Sequence, residues 1–221
     1  MKRNRMKNKK QIRNLALATA MVGVLAFGGI SAYFTDNASK TNEFTVGKIS
    51  LNLTEPNWNP DDGTDITPNK EVAKDPKITN DGENTEYVFM TVDVPFADVV
   101  TAAPDGMRNE SAGTELYSYT VNNGWTELGA PVNHGDYVTH TYVYGTAEAC
   151  TELAKNAATP SLFDTIKFAN VIEGQGLEGT NRDVEVKAFG IQSSDVNGGK
   201  TAPADVWQVL SNQINSEVKE N

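Results

Sequence analysis

Residues 86–95, EYVFMTVDVP, limit the fold more than any other part of the chain. Read as a strand, they send alternate side chains to opposite faces. Val88, Met90, Val92 and Val94 then line one face, and Tyr87 and Phe89 the other. A strand that is apolar on both faces must be covered on both, which predicts the central strand of a β-sandwich.

Most of the remaining pattern also has a period of two. In NEFTVGKISLNL, Phe44 and Val46 share one parity and Ile49, Leu51 and Leu53 the other. The switch falls at Gly47-Lys48, where one extra residue would form a bulge. Residues 54–69, rich in Pro, Asn, Asp and Gly, read as a loop. Residues 70–79 read as a weaker strand, broken by Pro76 and therefore at an edge. Asn80-Asp81-Gly82 is a turn, residues 95–115 read as loop, and LYSYTV-NNG-WTEL reads as a hairpin about Asn123-Gly124. DYVTHTYVYG, LFDTIKFANVI and DVEVKAFGIQ are further strands, while residues 146–157 fit either a helix or an irregular connection. Pro203 opens a helix over 203–217, with Trp207, Leu210 and Ile214 recurring at helical spacing. Seven or eight strands and one terminal helix imply an all-β fold, a jelly-roll-type β-sandwich with a short C-terminal helix. An immunoglobulin-like sandwich fits less well, because the Cys-Trp-Cys signature is missing.

The N-terminus reads as an export signal. Seven Lys and Arg residues precede an apolar run of 16 residues, 15–30, and Ile30-Ser31-Ala32 offers a small residue before a cut. Cleavage after Ala32 would expose Tyr33 and leave a single domain over 33–221. The run is short for a membrane span, so an uncleaved anchor is the lesser alternative. Loss of the signal leaves 12 Lys and Arg against 29 Asp and Glu, a formal charge of −17. Such a surface argues against nucleic acid and anionic membrane as partners, since both require basic groups. A secreted, extracellular or cell-surface protein follows. Its lone Cys150 permits no intrachain disulfide, so the core alone must hold the fold together.

No HExxH, GxSxG, phosphate loop or dinucleotide fingerprint occurs. His134 and His140 lie six residues apart on one extended segment, about 20 Å at the rise of a strand, too far for two ligands of one metal. His140 reads as a satisfied residue on a sheet face. Asp61, Asp62 and Asp65 in PDDGTD are candidate calcium ligands. Their spacing departs from an EF-hand, and an ordinary solvated turn is the favoured reading of them. Cys150 reads as a small buried residue, because AEACTELA offers no activating partner.

AYFTDNASKTNEFTVGKISLNLTEPNW resembles the first block of the SipW-dependent signal-peptide proteins, the TasA and camelysin group. TPNKEVAKDPKITNDGENTEYVFMTVDVP resembles the next block, and TPSLFDTIKFANV, VKAFGIQSSDV and VWQVL resemble later segments. The resemblance implies a secreted jelly-roll protein processed by a SipW-type signal peptidase. It further implies a subunit of biofilm matrix fibres whose partners are copies of itself or related subunits. Subunits of that kind link when the N-terminal strand of one completes the sheet of the next. On this chain the donated segment would be 33–53, with Tyr33, Phe34, Phe44 and Val46 as its anchors, and no cofactor would be required. Two alternatives remain: a camelysin-like cell-surface metallopeptidase, whose ligands no local motif supplies, and a monomeric surface-binding module using loops 54–69 or 95–115.

Overall fold

A computed structural model describes residues 49–217. Within them lie eleven strands: β1 (Leu51–Thr54), β2 (Glu71–Ala73), β3 (Lys77–Asn80), β4 (Glu86–Val99), β5 (Ala112–Glu115), β6 (Tyr117–Ser118), β7 (Trp125–Glu127), β8 (Val132–Asn133), β9 (Tyr137–Tyr144), β10 (Thr165–Phe168) and β11 (Glu185–Gln192). One α-helix, α1 (Pro203–Glu217), follows. The fold is all-β, with the helix in the place the Pro203 signal predicts.

The first layer has the order β11-β4-β9-β7. β4 is its central strand, paired with β11 from Glu86↔Gln192 to Asp93↔Glu185 and with β9 from Phe89↔Val143 to Pro95↔Tyr137. Its two faces divide as their side chains require. Val88, Met90, Val92 and Val94 enter the core between the layers, where Val72, Ile78, Leu162, Phe163 and Ile166 of the second layer meet them. Tyr87 and Phe89 face outward into a second cluster with Val206 and Leu210 of α1. The Trp207 ring closes that cluster, 5.2 Å from Phe89 and 5.6 Å from Phe189 between centroids. The helix stripe is thus core packing, and it waterproofs the outer face of the first sheet.

The second layer is held by one long antiparallel ladder. Backbone bonds run from Phe168 N to Lys70 O, through Lys74 N to Asp164 O and Leu162 N to Pro76 O, to Asn80 N and Ala157 O. β6 joins the far side of β10, and β1 joins the free side of β3 through Leu51↔Asn80 to Thr54↔Lys77. Pro76 interrupts the strand as expected, separating β2 from β3, but the edge prediction holds only for β2. β3 is bonded on both sides, because the break at 74–76 lets the chain bend while Pro76 keeps its carbonyl in the ladder.

Two connections differ from expectation. Residues 95–115 are not a loop throughout: β4 continues to Val99 and β5 pairs with it from Phe96↔Glu115 to Val99↔Ala112. β5 is Ala-Gly-Thr-Glu, which has little intrinsic strand preference and is a strand by its pairing. Gly113 is required there, since the Phe96 ring occupies the space a Cβ would fill. The Asn123-Gly124 turn forms, with Gly124 at φ 97° and Trp125 N donating to Asn122 O. It does not close a hairpin. β6 before it pairs with β10, and β7 after it pairs with β9, so the turn carries the chain from one layer to the other. Trp125 is buried at that crossing and donates its Nε1 hydrogen to Pro160 O at 3.0 Å. Residues 146–157 form irregular connections rather than a helix.

Candidate functional site

β1 ends the second layer and β11 ends the first, and these two strand edges run beside each other along one side of the sandwich. Among the described residues β11 pairs with β4 alone and β1 with β3 alone. A cleft of about 990 Å³ opens at one end of this seam, lined by Leu53, Trp58, Lys74, Arg182, Val186 and Lys187. An adjoining hollow of about 830 Å³ reaches Tyr117 and Phe168 and shares Trp58 and Lys74 with it.

The wall of the cleft is clamped by residues on both sides of the Pro76 break. Lys74, nearly buried, sets its ammonium 2.7 Å from Glu55 and 5.3 Å from the centroid of the Trp58 ring. Asp75, 2% exposed, accepts from Asn57 N at 2.8 Å and Asn57 Nδ2 at 2.9 Å, with Lys77 at 3.7 Å. Buried carboxylates need such donors, and here they fix the path of 55–58. On the opposite wall Lys187 lies between Asp93 at 3.0 Å and Glu185 at 2.9 Å. Hydrogen bonds to Glu185 and Asp93 raise its pKa. Lys74, Lys187 and their carboxylates are therefore engaged with one another. Among the described residues, what the seam leaves unpaired is the backbone of two strand edges, the groups that can pair with an added extended chain.

The predicted site residues fall in different places. Ala32, Tyr33, Phe34, Phe44 and Val46 lie outside the described residues. Residues 51–53, the end of the segment expected to be donated, belong to the chain's own β1. Asp61 and Asp62 sit in a 3₁₀ turn, Pro60–Gly63, capped by the Asn59 side chain, and Asp65 follows it at φ 47°. His134 stacks on Tyr137 at 4.5 Å in the turn before β9. His140 stands on β9 with Nε2 2.9 Å from Glu115 and Nδ1 2.7 Å from Glu127. It is satisfied on its sheet face, as its position suggested. Its two ring nitrogens each meet a carboxylate from a different strand and so link β5, β9 and β7. The carboxylates lie on opposite ends of the ring and do not converge on one point. Among the described residues no group of three or more His, Cys, Asp or Glu is arranged to hold a metal ion. Burial pushes the half-buried Cys150 thiol up to about 11, leaving it little thiolate character. We expect His140→Ala to cost about 1–2 kcal/mol, the range for partly exposed hydrogen bonds to charged groups. His134→Ala should cost under about 0.5 kcal/mol, as a surface change does. Urea midpoints of the two variants check this difference.

Sequence reasoning missed Glu86. It shares the parity of Val88 and Met90, so a carboxylate on an apolar face was the available signal. Both of its carboxyl oxygens are buried without a hydrogen-bond partner, and burial alone pushes it up to about 7.

Among the described residues no helix is long and apolar enough to cross a membrane. Neither a curated protein nor a solved structure matches the chain. One family model does match, over residues 7–108, and its description is camelysin metallo-endopeptidase. That stretch is a little under half the chain and takes in β1 to β4, the Trp58 wall and Glu86, but not His140 or Cys150. In its first half the chain is similar to the camelysin metallo-endopeptidase family.

Proposed function

We propose that this chain is a secreted structural subunit of extracellular matrix fibres, which polymerises by lending its N-terminal strand to the next copy. The observation that carries this reading is the pair of adjacent edges, β1 and β11, each bonded on one side only among the described residues. Most of the segment expected to be donated precedes β1, and its last residues, 51–53, lie in that strand. A strand arriving from a neighbour would meet backbone donors and acceptors on β11, with Leu53 and Val186 beside them, the chemistry of strand addition. The similarity to the camelysin family supports an extracellular or surface location. In this reading a SipW-type peptidase cuts between Ala32 and Tyr33, and the partners are copies of the same chain or related matrix subunits. The test is electron microscopy of the protein beginning at Tyr33. Fibres support the reading, and a monomer that stays dispersed at high concentration contradicts it.

The family description favours a second reading, a surface metallo-endopeptidase. Chelator-sensitive cleavage of casein by the same preparation would support that reading against the first.

Like charge should oppose the first reading's assembly step. Copies carrying −17 repel one another, and salt screens exposed charges beyond about 10 Å at 0.1 M. Raising sodium chloride from about 0.05 M to about 0.5 M should therefore speed fibre growth, as followed by light scattering. A rate that falls with salt would mean that attraction between unlike patches drives association.

A further inference from the structure

Glu86 opens β4 with its backbone fully used. Its N–H donates to Leu153 O at 3.1 Å, and its carbonyl accepts from Leu153 N at 2.8 Å. Its side chain points between the layers, on the face of Val88 and Met90, and is 0% exposed. Among the described residues neither carboxyl oxygen has a hydrogen-bond partner. Overhead lies Gly190 of the edge strand β11, where a Cβ would stand 3.0 Å from Glu86 Oε2 and 2.9 Å from Leu51 Cδ1. The missing side chain of Gly190 thus leaves the space that Glu86 and Leu51 share. This is the seam between the two strand edges.

Among the described residues no charge compensates the carboxyl. β1 contributes Leu51 here, and β11 contributes Gly190 and Gln192. β3 contributes Asn80, whose amide is committed to Asn84 O and Leu153 O. The charged groups of the flanking turns are Asp81, Glu83, Glu152 and Lys155, all exposed, and Lys155 is paired with Glu83 at 2.6 Å. An ionised carboxylate at this place would be buried and alone, which is among the costliest states a side chain can adopt.

We propose that Glu86 is a proton-operated latch on the β1–β11 seam, closed while the carboxyl holds its proton and opened at β1 when the proton leaves. β1 is the part that yields, because β4 is gripped along most of its length by β11 and β9, whereas among the described residues β1 holds four residues on β3 alone. Burial without a partner places the change near neutral pH, so the seam is closed in mild acid and loosened in mild alkali. The consequence for assembly rests on the strand-donation reading: the proton would govern when this edge can take or release a strand. The latch itself does not depend on that reading.

The test uses the chain from Tyr33 at concentrations where it is monomeric. Hydrogen exchange of the β1 amides, corrected for intrinsic rate, is followed between about pH 5.5 and 8.5, with Glu86→Gln beside the wild type. Protection of β1 in the wild type should fall about tenfold or more across that range, the factor per pKa unit of coupling. In Glu86→Gln, neutral at every pH, it should stay flat. A carbon-13 titration of the wild-type Glu86 carboxyl needs no variant and should move near neutral pH. A midpoint near that of a free glutamate overturns the latch, as does a Glu86→Gln slope equal to the wild type's. Electron microscopy at the two pH extremes is scored separately. A working latch without fibres would sink the strand-donation reading and leave the latch standing.

Discussion

Deleting residues 33–42 from the processed chain should leave a folded β-sandwich and abolish its fibres. The fold should survive because, among the described residues, β4, β9, β10 and β11 supply the walls of the core and α1 covers the outer face. Fibres should be lost because the acceptor edge remains while the strand that fills it is gone. A synthetic peptide of residues 33–53 added in excess should cap growth of the wild type by occupying that edge. Circular dichroism reports the fold and light scattering the assembly. Fibre growth by the truncated chain at the wild-type rate would rule out donation from this segment. A truncated chain that fails to fold would make the segment an internal part of its own sheet.

The second large effect is on stability. Asn80→Ala should cost about 2–3 kcal/mol, since it leaves Gly82 N and Asn84 O without the Asn80 amide and takes from Leu153 O one of its two donors, the other being Glu86 N. Asn80 is 0% exposed. Its Nδ2 donates to Asn84 O at 2.8 Å and Leu153 O at 2.9 Å, and its Oδ1 accepts from Gly82 N at 2.8 Å. One amide therefore fixes the turn between β3 and β4 and pins the 150–156 connection to it. Against a total of about 5–15 kcal/mol for a domain, that loss should lower the urea midpoint steeply. A change below about 1 kcal/mol would show that water replaces the lost bonds.

β4 was legible because a strand apolar on both faces has few places to go, and each face found the cover its side chains required. α1 was legible for a similar reason: Trp207, Leu210 and Ile214 recur with the period of a helix. What could not be read was partnership over distance. Asn123-Gly124 announces a turn, but not that the strands on either side belong to different sheets. β5 carries no strand signal of its own, and only its register against Phe96–Val99 makes it one. His140 meets Glu115 and Glu127 from 25 and 13 residues away, across two other strands, and no local spacing encodes that. The seam was half legible. Its entering strand stood out by parity, whereas Gly190 and Glu86 acquire their roles only when β11 is laid beside β4.

The pairing of β11 with β4 also sets a clock. Glu185 meets Asp93 and Gln192 meets Glu86, so the central strand waits for partners roughly a hundred residues downstream. Contacts of such long range are slow to form, because loop-closure entropy is lost before any contact energy returns. A chain that emerged N-terminus first would carry its most apolar strand uncovered until nearly all of it had appeared. During that interval its excess of negative charge, rather than its core, would keep one nascent copy from sticking to another.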